Sequence, residues 1–351
     1  MDLTQFETRK RDHISQALDL RNQAQGWTGL EQVRLRHEAL PELDFSEIDL
    51  SEEVFSQRLK TPFFIAGMTM GHPDAAAINT LLARAAARRG WVMGVGSQRR
   101  ELEGRALPDE AKSLRREAPD AVLISNLGLS QVIRASSQEI RAVLEALEPQ
   151  ALVVHLNVLQ EALQPEGTPQ FRGGLEAIAR LVRDLPIPVM VKETGCGFSE
   201  STLDRLASIG VAAIDVSGLG GTHWGRIEGA RSPVSSFESV AAKVFADWGE
   251  STVSSVRAAA EVLSKNREAR YSIWASGGVR SGLDAAKLIA LGAHRVGYAQ
   301  PALQAAMGGE DVLNRWMEQQ EFELRVALFC TGCASPKELR AKEGSWNYGR
   351  S

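Results

Sequence analysis

The sequence has few cysteines, no long apolar run and no strong excess of one charge. Its three cysteines, Cys196, Cys330 and Cys333, are too few for a disulfide framework and favour a reducing, cytoplasmic location. No apolar run reaches 18 residues, which argues against a transmembrane helix, and the charged beginning lacks the apolar core of a secretory signal. The formal net charge of −4 gives no electrostatic reason for nucleic-acid binding. We therefore predict no membrane and no nucleic-acid partner.

Short apolar runs that end in small or polar residues recur along the middle of the chain, and a helical pattern follows most of them. Continuous apolar runs, unlike alternating ones, are typical of strands buried on both faces of a parallel sheet. Eight such runs are predicted as strands: 62–67, 91–96, 121–126, 151–157, 187–193, 211–218, 271–277 and 294–299.

The segments between these runs read as helices. Pro73 suits a helix start, and Gly210 and Gly292 follow helical segments where a left-handed residue ends a helix. Eight strand–helix units predict a (β/α)₈ TIM barrel. An open, doubly wound sheet is the alternative, but polar residues at the ends of nearly all strands favour the barrel, because an open sheet concentrates them at one switch point. The helices predicted are 74–89, 137–147, 174–184, 199–208 and 282–290.

Three regions complete the predicted organisation around a barrel over residues 62–305. Residues 1–61 form an N-terminal arm with one amphipathic helix at about 7–24, and residues 306–351 form a C-terminal helical tail. Residues 219–250 lengthen one connection inside the barrel. Their glycines predict a mobile loop that serves as a lid over the barrel mouth.

The segment Ala275–Gly282 (ASGGVRSG) combines glycines, an arginine and a helix start. Backbone amides and a helix N-terminus attract phosphate, and barrels commonly bind phosphate after strands seven and eight. A tight turn without a ligand is the alternative. The position after the predicted seventh strand favours phosphate binding.

Two other strand ends carry chemistry. His155, Asn157, Gln160 and Glu161 follow strand four; the first three offer hydrogen bonds to a substrate, and Glu161 is an oxygen ligand suited to Mg²⁺. A satisfied core histidine is the alternative reading of His155. Lys192 ends strand five, where it acts as a Schiff-base nucleophile, stabilises a negatively charged cofactor ring, or pairs with a neighbouring carboxylate.

Taken together, these motifs resemble type 2 isopentenyl diphosphate isomerase, in order from residue 9 to about residue 300. The matching segments are RKxxHI (9–14), HEALPE (37–42), GSQR (96–99), SNLG (125–128), HLNxxQE (155–161), KExGxG (192–197), SGxGGT (217–222) and ASGGxR (275–280). The resemblance implies an FMN-dependent barrel that uses NADPH and Mg²⁺ to interconvert isopentenyl and dimethylallyl diphosphate without net redox change. It also implies a homotetramer or homooctamer.

Carried over residue by residue, the resemblance assigns three groups of side chains and Glu161 as the metal ligand. The catalytic residues are Gln160, His155 and Lys192. The residues assigned to the diphosphate side of the substrate are Arg9, Lys10, Ser97, Gln98, Arg99, His155, Asn157 and Gln160. FMN falls to Met68, Thr69, Met70, Ser97, Asn126, Lys192, Ser217, Thr222, Gly278, Val279, Arg280, Ala299 and Gln300.

One departure and one alternative function remain. Met70 stands where the family usually has glycine, which makes that flavin contact different here. The alternative is an FMN-dependent oxidoreductase of the 2-hydroxy-acid oxidase or IMP dehydrogenase type. Residues 217–250 contain no cysteine and Ala275–Gly282 no histidine, so the signatures of both are missing.

Overall fold

The central feature is a closed barrel of eight parallel strands in chain order, each paired with the next and the eighth with the first. The computed structural model describes residues 13, 15–24, 28–68, 70, 73–104, 110–266 and 268–349. Closure confirms the predicted (β/α)₈ class and excludes the open sheet. The strands are β1 (Phe63–Ile65), β2 (Val92–Gly94), β3 (Val122–Gly128), β4 (Ala151–His155), β5 (Val189–Lys192), β6 (Ala213–Asp215), β7 (Ser272–Ala275) and β8 (Arg295–Tyr298).

All eight predicted apolar runs contain a strand, because almost every strand residue is buried between the barrel interior and the helices outside. The polar residues that end these runs, such as His155 and Lys192, therefore meet at one end of the barrel. The carboxyl-terminal end of the barrel is the face on which TIM-barrel sites form.

The helices surround the barrel and confirm most of the predicted ones. Three have the predicted bounds, and Gly210 and Gly292 adopt the expected positive φ of 74° and 116°. The helices are α1 (Pro73–Arg89), α2 (Arg99–Leu102), α3 (Glu110–Glu117), α4 (Leu129–Arg134), α5 (Ser137–Leu147), α6 (Val158–Leu163), α7 (Gly174–Asp184), α8 (Glu200–Ala207), α9 (Trp224–Arg231), α10 (Phe237–Val244), α11 (Thr252–Lys265), α12 (Gly282–Ala290), α13 (Gln300–Met307), α14 (Glu310–Cys330) and α15 (Pro336–Ala341).

The prediction of an irregular loop over 219–250 is wrong, because helices α9 and α10 occupy most of this insertion. Gly229 lies inside α9, where glycine is normally unfavourable. A Cβ at Gly229 would collide with the Cβ of Ala242 in α10, so the glycine lets the two helices approach closely. Tertiary packing has overridden local propensity here.

The N-terminal arm differs from the predicted single helix at 7–24. Residue 13 and residues 15–18 are helical, and Asp19 then begins a separate 3₁₀ turn, Leu20–Asn22, by accepting a hydrogen bond from the Arg21 amide. Residues 1–12 lie outside the described part of the chain. Two further 3₁₀ turns follow, at Leu30–Gln32 and Phe45–Glu47.

Two small antiparallel strand pairs lie outside the barrel. Strand Val33–Leu35 pairs with Trp346–Tyr348, so the tail ends in a strand and is not wholly helical. The hairpin of Glu52–Val54 and Gln57–Leu59 packs on the interior cluster that contains Trp274. Arg295, the first residue of β8, donates to the Glu52 carbonyl, which places this hairpin at the amino ends of the strands.

Candidate active site

A single cavity at the carboxyl ends of the barrel strands collects most of the predicted site residues. Every barrel strand or the loop after it contributes to the wall. The predicted residues that line the cavity are Met68, Ser97, Arg99, Asn126, His155, Asn157, Gln160, Glu161, Lys192, Ser217, Thr222, Gly278, Val279, Arg280, Ala299 and Gln300. The cavity thus lies on the face where the sequence analysis expects the site.

Met70 and Gln98 are not among the lining residues. Met70 is fully buried and belongs to the main apolar core, because a methionine side chain gains more from apolar packing than from a polar cavity wall. Gln98 is also fully buried, and its amide oxygen accepts a hydrogen bond from the Ser125 hydroxyl behind the wall. Thr69, Arg9 and Lys10 lie outside the described residues.

Lys192 lies on the floor of the cavity as the last residue of β5. Burial lowers the pKa of its ammonium, while the nearby carboxylates of Asp215 and Glu193 act in the opposite direction. The Lys192 Nζ donates to the Glu193 backbone carbonyl at 2.6 Å, so the carboxylate pairing weighed from the sequence is not its hydrogen bond. A buried cation near a cavity is suited to stabilising negative charge on a bound group.

The two carboxylates beside Lys192 accept hydrogen bonds mainly from backbone amides. Asp215 Oδ1 accepts from the Ser276 hydroxyl at 2.8 Å and from the Ser217 amide at 3.3 Å. Glu193 Oε2 accepts from the backbone amides of residues 194, 195 and 196, which shapes the loop after β5. Burial raises the pKa of both carboxyl groups, against the effect of Lys192. Both carboxyl groups organise the loops behind the cavity wall.

His155 is held in one tautomer by Asn126. The Asn126 amide nitrogen donates to the Val95 carbonyl at 3.0 Å, which turns the Asn126 oxygen toward His155 Nδ1 at 2.8 Å. Nδ1 of His155 therefore carries the proton and donates, and this orients the ring at the end of β4.

The predicted cluster after β4 is a connected network. The Asn157 amide nitrogen donates to Gln160 Oε1 at 3.2 Å and to Glu161 Oε1 at 3.0 Å. Glu161 Oε2 accepts from the Thr168 backbone amide. Among the described residues, no group of three or more His, Cys, Asp or Glu side chains could hold a metal ion. Glu161 therefore fits a cation only as one ligand beside substrate oxygens and water, which is how Mg²⁺ is often bound.

The sequence analysis missed Glu228, a fully buried residue of α9. Its Oε1 accepts from Gln160 Nε2 at 2.9 Å and contacts His13 Nε2 at 3.0 Å, and its Oε2 pairs with Arg231. Burial alone would raise the pKa of Glu228, but His13, Arg231 and Gln160 together hold it below its usual value. The residue was missed because 219–250 was predicted as a mobile loop, and no local signal marks its contact with Gln160.

The arm and the insertion together form the rim of the cavity. His13 meets Trp224 in an edge-to-face contact with ring centroids 5.1 Å apart, and both line the cavity. Gln23 Nε2 donates to the Thr222 hydroxyl at 3.1 Å, and Ala24 N donates to the Gly221 carbonyl at 2.7 Å. The arm is thereby fixed to the loop after β6 along its described part.

In the loop after β7, the glycines are required by backbone packing as well as by the predicted phosphate site. Gly277 and Gly278 have positive φ of 102° and 75°, and a Cβ on either would strike the backbone of the loop after β6. The N-terminus of helix α12 is capped by a residue of its own first turn. Asp284 Oδ2 accepts hydrogen bonds from the backbone amides of Arg280 and Ser281 at 3.1 Å each. Residues 276–280 line the cavity at this edge.

Comparisons with known proteins identify the family in two steps. A family model described as FMN-dependent dehydrogenase matches residues 154–344, more than half of the chain, and supports FMN as the cofactor. The isopentenyl-diphosphate delta-isomerase of Bdellovibrio bacteriovorus is 50% identical over 344 residues, which cover 97% of this chain and 98% of the relative. The enzyme of that name from Legionella pneumophila strain Lens is 47% identical, with coverage of 97% and 98%. The chain belongs to the isopentenyl-diphosphate delta-isomerase family.

A solved structure of mandelate oxidase with (S)-2-phenylpropionate shares the fold, with a TM-score of 0.67 and 19% identity over 99% of each chain. At this identity the likeness shows the fold alone. No helix in the described part of the chain combines the length and the apolar character needed to cross a bilayer.

Proposed function

We propose that this chain interconverts isopentenyl diphosphate and dimethylallyl diphosphate in the cytoplasm, with FMN reduced by NADPH and with Mg²⁺ bound to the diphosphate. The observation that carries the proposal is a single cavity that joins a cationic floor at Lys192 to the amide and carboxylate network of Asn157, Gln160 and Glu161. Relatives that carry the isomerase name over nearly the whole chain support the same reaction.

FMN fits the cavity between the ends of strands β2 and β3 on one side and β5 to β8 on the other. Lys192 offers positive charge to the ring, while Ser97, Asn126 and Ser217 offer hydrogen bonds around it. Arg280 and the backbone of 276–279, with 299–300, form the phosphate end. When bound and reduced, flavin supplies an acid and base group at its N5 edge.

The diphosphate is assigned to the opposite wall. Arg99 and His155 line the cavity there, and Arg9 and Lys10 of the arm are proposed to add charge. Glu161 would hold Mg²⁺ with the diphosphate oxygens and water, in agreement with its position as a single carboxylate among amides.

Gln160 is proposed to orient the alkene end of the substrate. Asn157 and Glu228 hold its amide from two sides, so its remaining N–H and carbonyl lone pair keep a fixed direction. Protonating an unactivated alkene requires an acid held close and water kept out. Trp224 and His13 at the rim are placed to exclude water once substrate is bound.

A single assay tests the proposal. The holoenzyme is incubated anaerobically with isopentenyl diphosphate, FMN, NADPH and Mg²⁺, and we expect dimethylallyl diphosphate without stoichiometric loss of NADPH. A lactate or mandelate incubation with oxygen serves as the matched control for the oxidoreductase alternative. Absence of isomer under reducing conditions, or oxidation of the hydroxy acid, would overturn the proposal.

A further inference from the structure

The arm packs on both glycine-rich loops of the cavity, the one after β6 and the one after β7. A Cβ added to Gly220 would lie 2.2 Å from Thr28 Cγ2, and one added to Gly278 would lie 2.5 Å from the same atom. Thr28 is fixed from the outside as well, because its carbonyl accepts from the Val253 amide of α11 at 3.0 Å. The arm therefore fills the space that these two glycines leave, at the edge of the cavity proposed for the FMN phosphate.

Gln23 carries this contact from the arm into the cavity wall. Its side chain lines the cavity, and the residue is only 7% exposed. Nε2 donates to the Ala17 carbonyl at 3.2 Å and to the Thr222 hydroxyl at 3.1 Å, which uses both of its N–H groups. Because a backbone carbonyl only accepts, the Ala17 contact fixes which end of the amide is nitrogen. No residue in the described part of the chain donates to Gln23 Oε1, so this acceptor is available to a ligand.

An acceptor in this position discriminates between the ligands proposed for the cavity. The ionised diphosphate and the alkene of the substrate have no N–H or O–H group to donate. FMN has donors, above all the hydroxyl groups of the ribityl chain that lead to its phosphate. Thr222 accepts from Gln23 and still has its own O–H to donate, for example to a phosphate oxygen. A polyol phosphate thus supplies a partner for each of these two side chains.

We propose that Gln23 is an FMN-binding residue, whose amide oxygen accepts a hydrogen bond from a hydroxyl of the ribityl chain. This inference rests on FMN as the cofactor of the proposed function. The same amide ties the arm to Thr222 through its nitrogen, so the flavin and the docked arm stabilise each other. The exposed Arg21 gives a measure of docking, because trypsin cleaves after arginine. FMN should slow cleavage after Arg21 at least threefold in the wild type and not in a variant without the amide.

The test measures flavin affinity and requires no turnover. Apoprotein in EDTA, where no metal competes for the oxygen, is titrated by fluorescence with FMN, riboflavin and lumiflavin, which lacks the ribityl chain. Gln23→Met removes the acceptor and should weaken FMN and riboflavin about fivefold, as expected for one hydrogen bond, but lumiflavin less than twofold. Gln16→Met is the matched control on the same arm, since Gln16 Oε1 accepts from Asn22 Nδ2 at 2.7 Å but Gln16 does not line the cavity. It should bind all three flavins like the wild type.

A second variant, Gln23→Glu, separates the flavin contact from the docking of the arm. Its carboxylate keeps an acceptor oxygen and loses both N–H groups, and riboflavin has no phosphate for it to repel. Riboflavin should therefore bind within twofold of wild type. Equal losses of riboflavin affinity in the Glu and Met variants would overturn the proposal.

Three further outcomes would also overturn it: unchanged FMN affinity in Gln23→Met, an equal loss for lumiflavin, or cleavage after Arg21 that does not respond to FMN. A wild type that binds no FMN would overturn the proposed cofactor as well. FMN binding that is independent of Gln23 would overturn this inference alone.

Discussion

Glu228 and Gln160 are 68 residues apart in sequence and share a hydrogen bond that fixes the Gln160 amide. Glu228 stays ionised at neutral pH because His13, Arg231 and Gln160 hold its pKa low. Hydrogen bonds to a buried charge contribute about 1.5–3 kcal/mol each, so the network determines the direction in which Gln160 points. The orientation of Gln160 thus depends on Glu228, a side chain that need not touch the substrate.

We predict that Glu228→Gln lowers kcat by about tenfold, because a neutral amide orients Gln160 less firmly than a carboxylate does. FMN affinity should remain within twofold of wild type, since Glu228 does not line the cavity. Steady-state kinetics and flavin titration measure the two effects. Glu166→Gln is the matched control, since Glu166 also pairs with Arg231 but does not bond Gln160. Equal losses in both variants would contradict this role.

His294 gives a residue-scale prediction about stability. Burial, with Arg340 and Arg295 nearby, lowers its pKa from 6.5 to about 4. The unfolded chain takes up a proton below pH 6.5 and the folded chain does not. Keeping His294 neutral therefore costs the folded state nothing above pH 6.5, and the free energy of unfolding decreases as the pH falls from 6.5 toward 4. Between pH 6.5 and 5 the loss is about 2 kcal/mol.

We predict that His294→Asn removes this acid sensitivity, because an amide oxygen can still accept from the Ile273 N–H, as His294 Nδ1 does at 3.2 Å, but does not titrate. Denaturant unfolding at pH 5 and pH 7.5 measures the difference. The exposed His37, replaced in the same way, should leave the pH dependence as in wild type. An unchanged slope in the His294 variant would show that other groups set the acid stability.

At the scale of elements, helix α12 offers less of its N-terminus to a phosphate than its sequence indicates. Ser281 and Asp284 cap it reciprocally, and Glu323 of α14 accepts the Gly282 amide at 2.7 Å. Two carboxylates thus lie at the place where the helix dipole would favour an anion. We therefore expect this capping to limit the affinity for the proposed FMN phosphate.

We predict that Asp284→Asn tightens FMN binding by about fivefold, because the amide keeps an acceptor for the cap and removes a negative charge worth about 1 kcal/mol near the phosphate. Flavin fluorescence titration of the apoprotein measures the change. Asp311→Asn, an exposed carboxylate in the first turn of α14, is the control and should not alter affinity. Weaker binding in the Asp284 variant would place the phosphate elsewhere.

The regular elements were predictable from sequence because their signals are local. Continuous apolar runs gave all eight strands, and three helices had the predicted bounds. The two failures in the insertion concern contacts between distant segments. In sequence, Gly229 is unfavourable in a helix, but in the structure it allows the close approach of Ala242. In sequence, Glu228 has no marked role, but in the structure it accepts a hydrogen bond from Gln160. No local pattern encodes either pairing.

At the scale of the whole molecule, the two ends of the described chain support one another. Beyond the pairing of Val33–Leu35 with Trp346–Tyr348, the Gly349 amide donates to the Gln32 carbonyl at 2.7 Å, and Arg36 N donates to the Ser345 carbonyl at 2.8 Å. Residues from the arm and from α14, such as Leu30 and Leu328, belong to the same apolar core as the barrel helices. Arm, barrel and tail are expected to unfold together.

We predict that removing residues 344–351 lowers the melting temperature by on the order of 3–6 °C, since several backbone hydrogen bonds worth about 1 kcal/mol each are lost. Circular dichroism melts measure the shift. A variant that lacks only residues 350–351 keeps the strand pair and should melt like wild type. An unchanged melting temperature after the longer deletion would contradict a stabilising role for the pair.

The strand pair that joins residues 33–35 to residues 346–348 also constrains how the protein is made. A ribosome adding about 5–20 residues per second needs roughly 20–70 s for this chain. For most of that time Val33–Leu35 has no partner strand, so its backbone hydrogen-bonding groups are open to neighbouring chains. The barrel strands can associate during synthesis, but this pair forms only after residues 346–348 leave the exit tunnel. Formation of this strand pair, and not of the barrel, is then the later step in reaching the native structure.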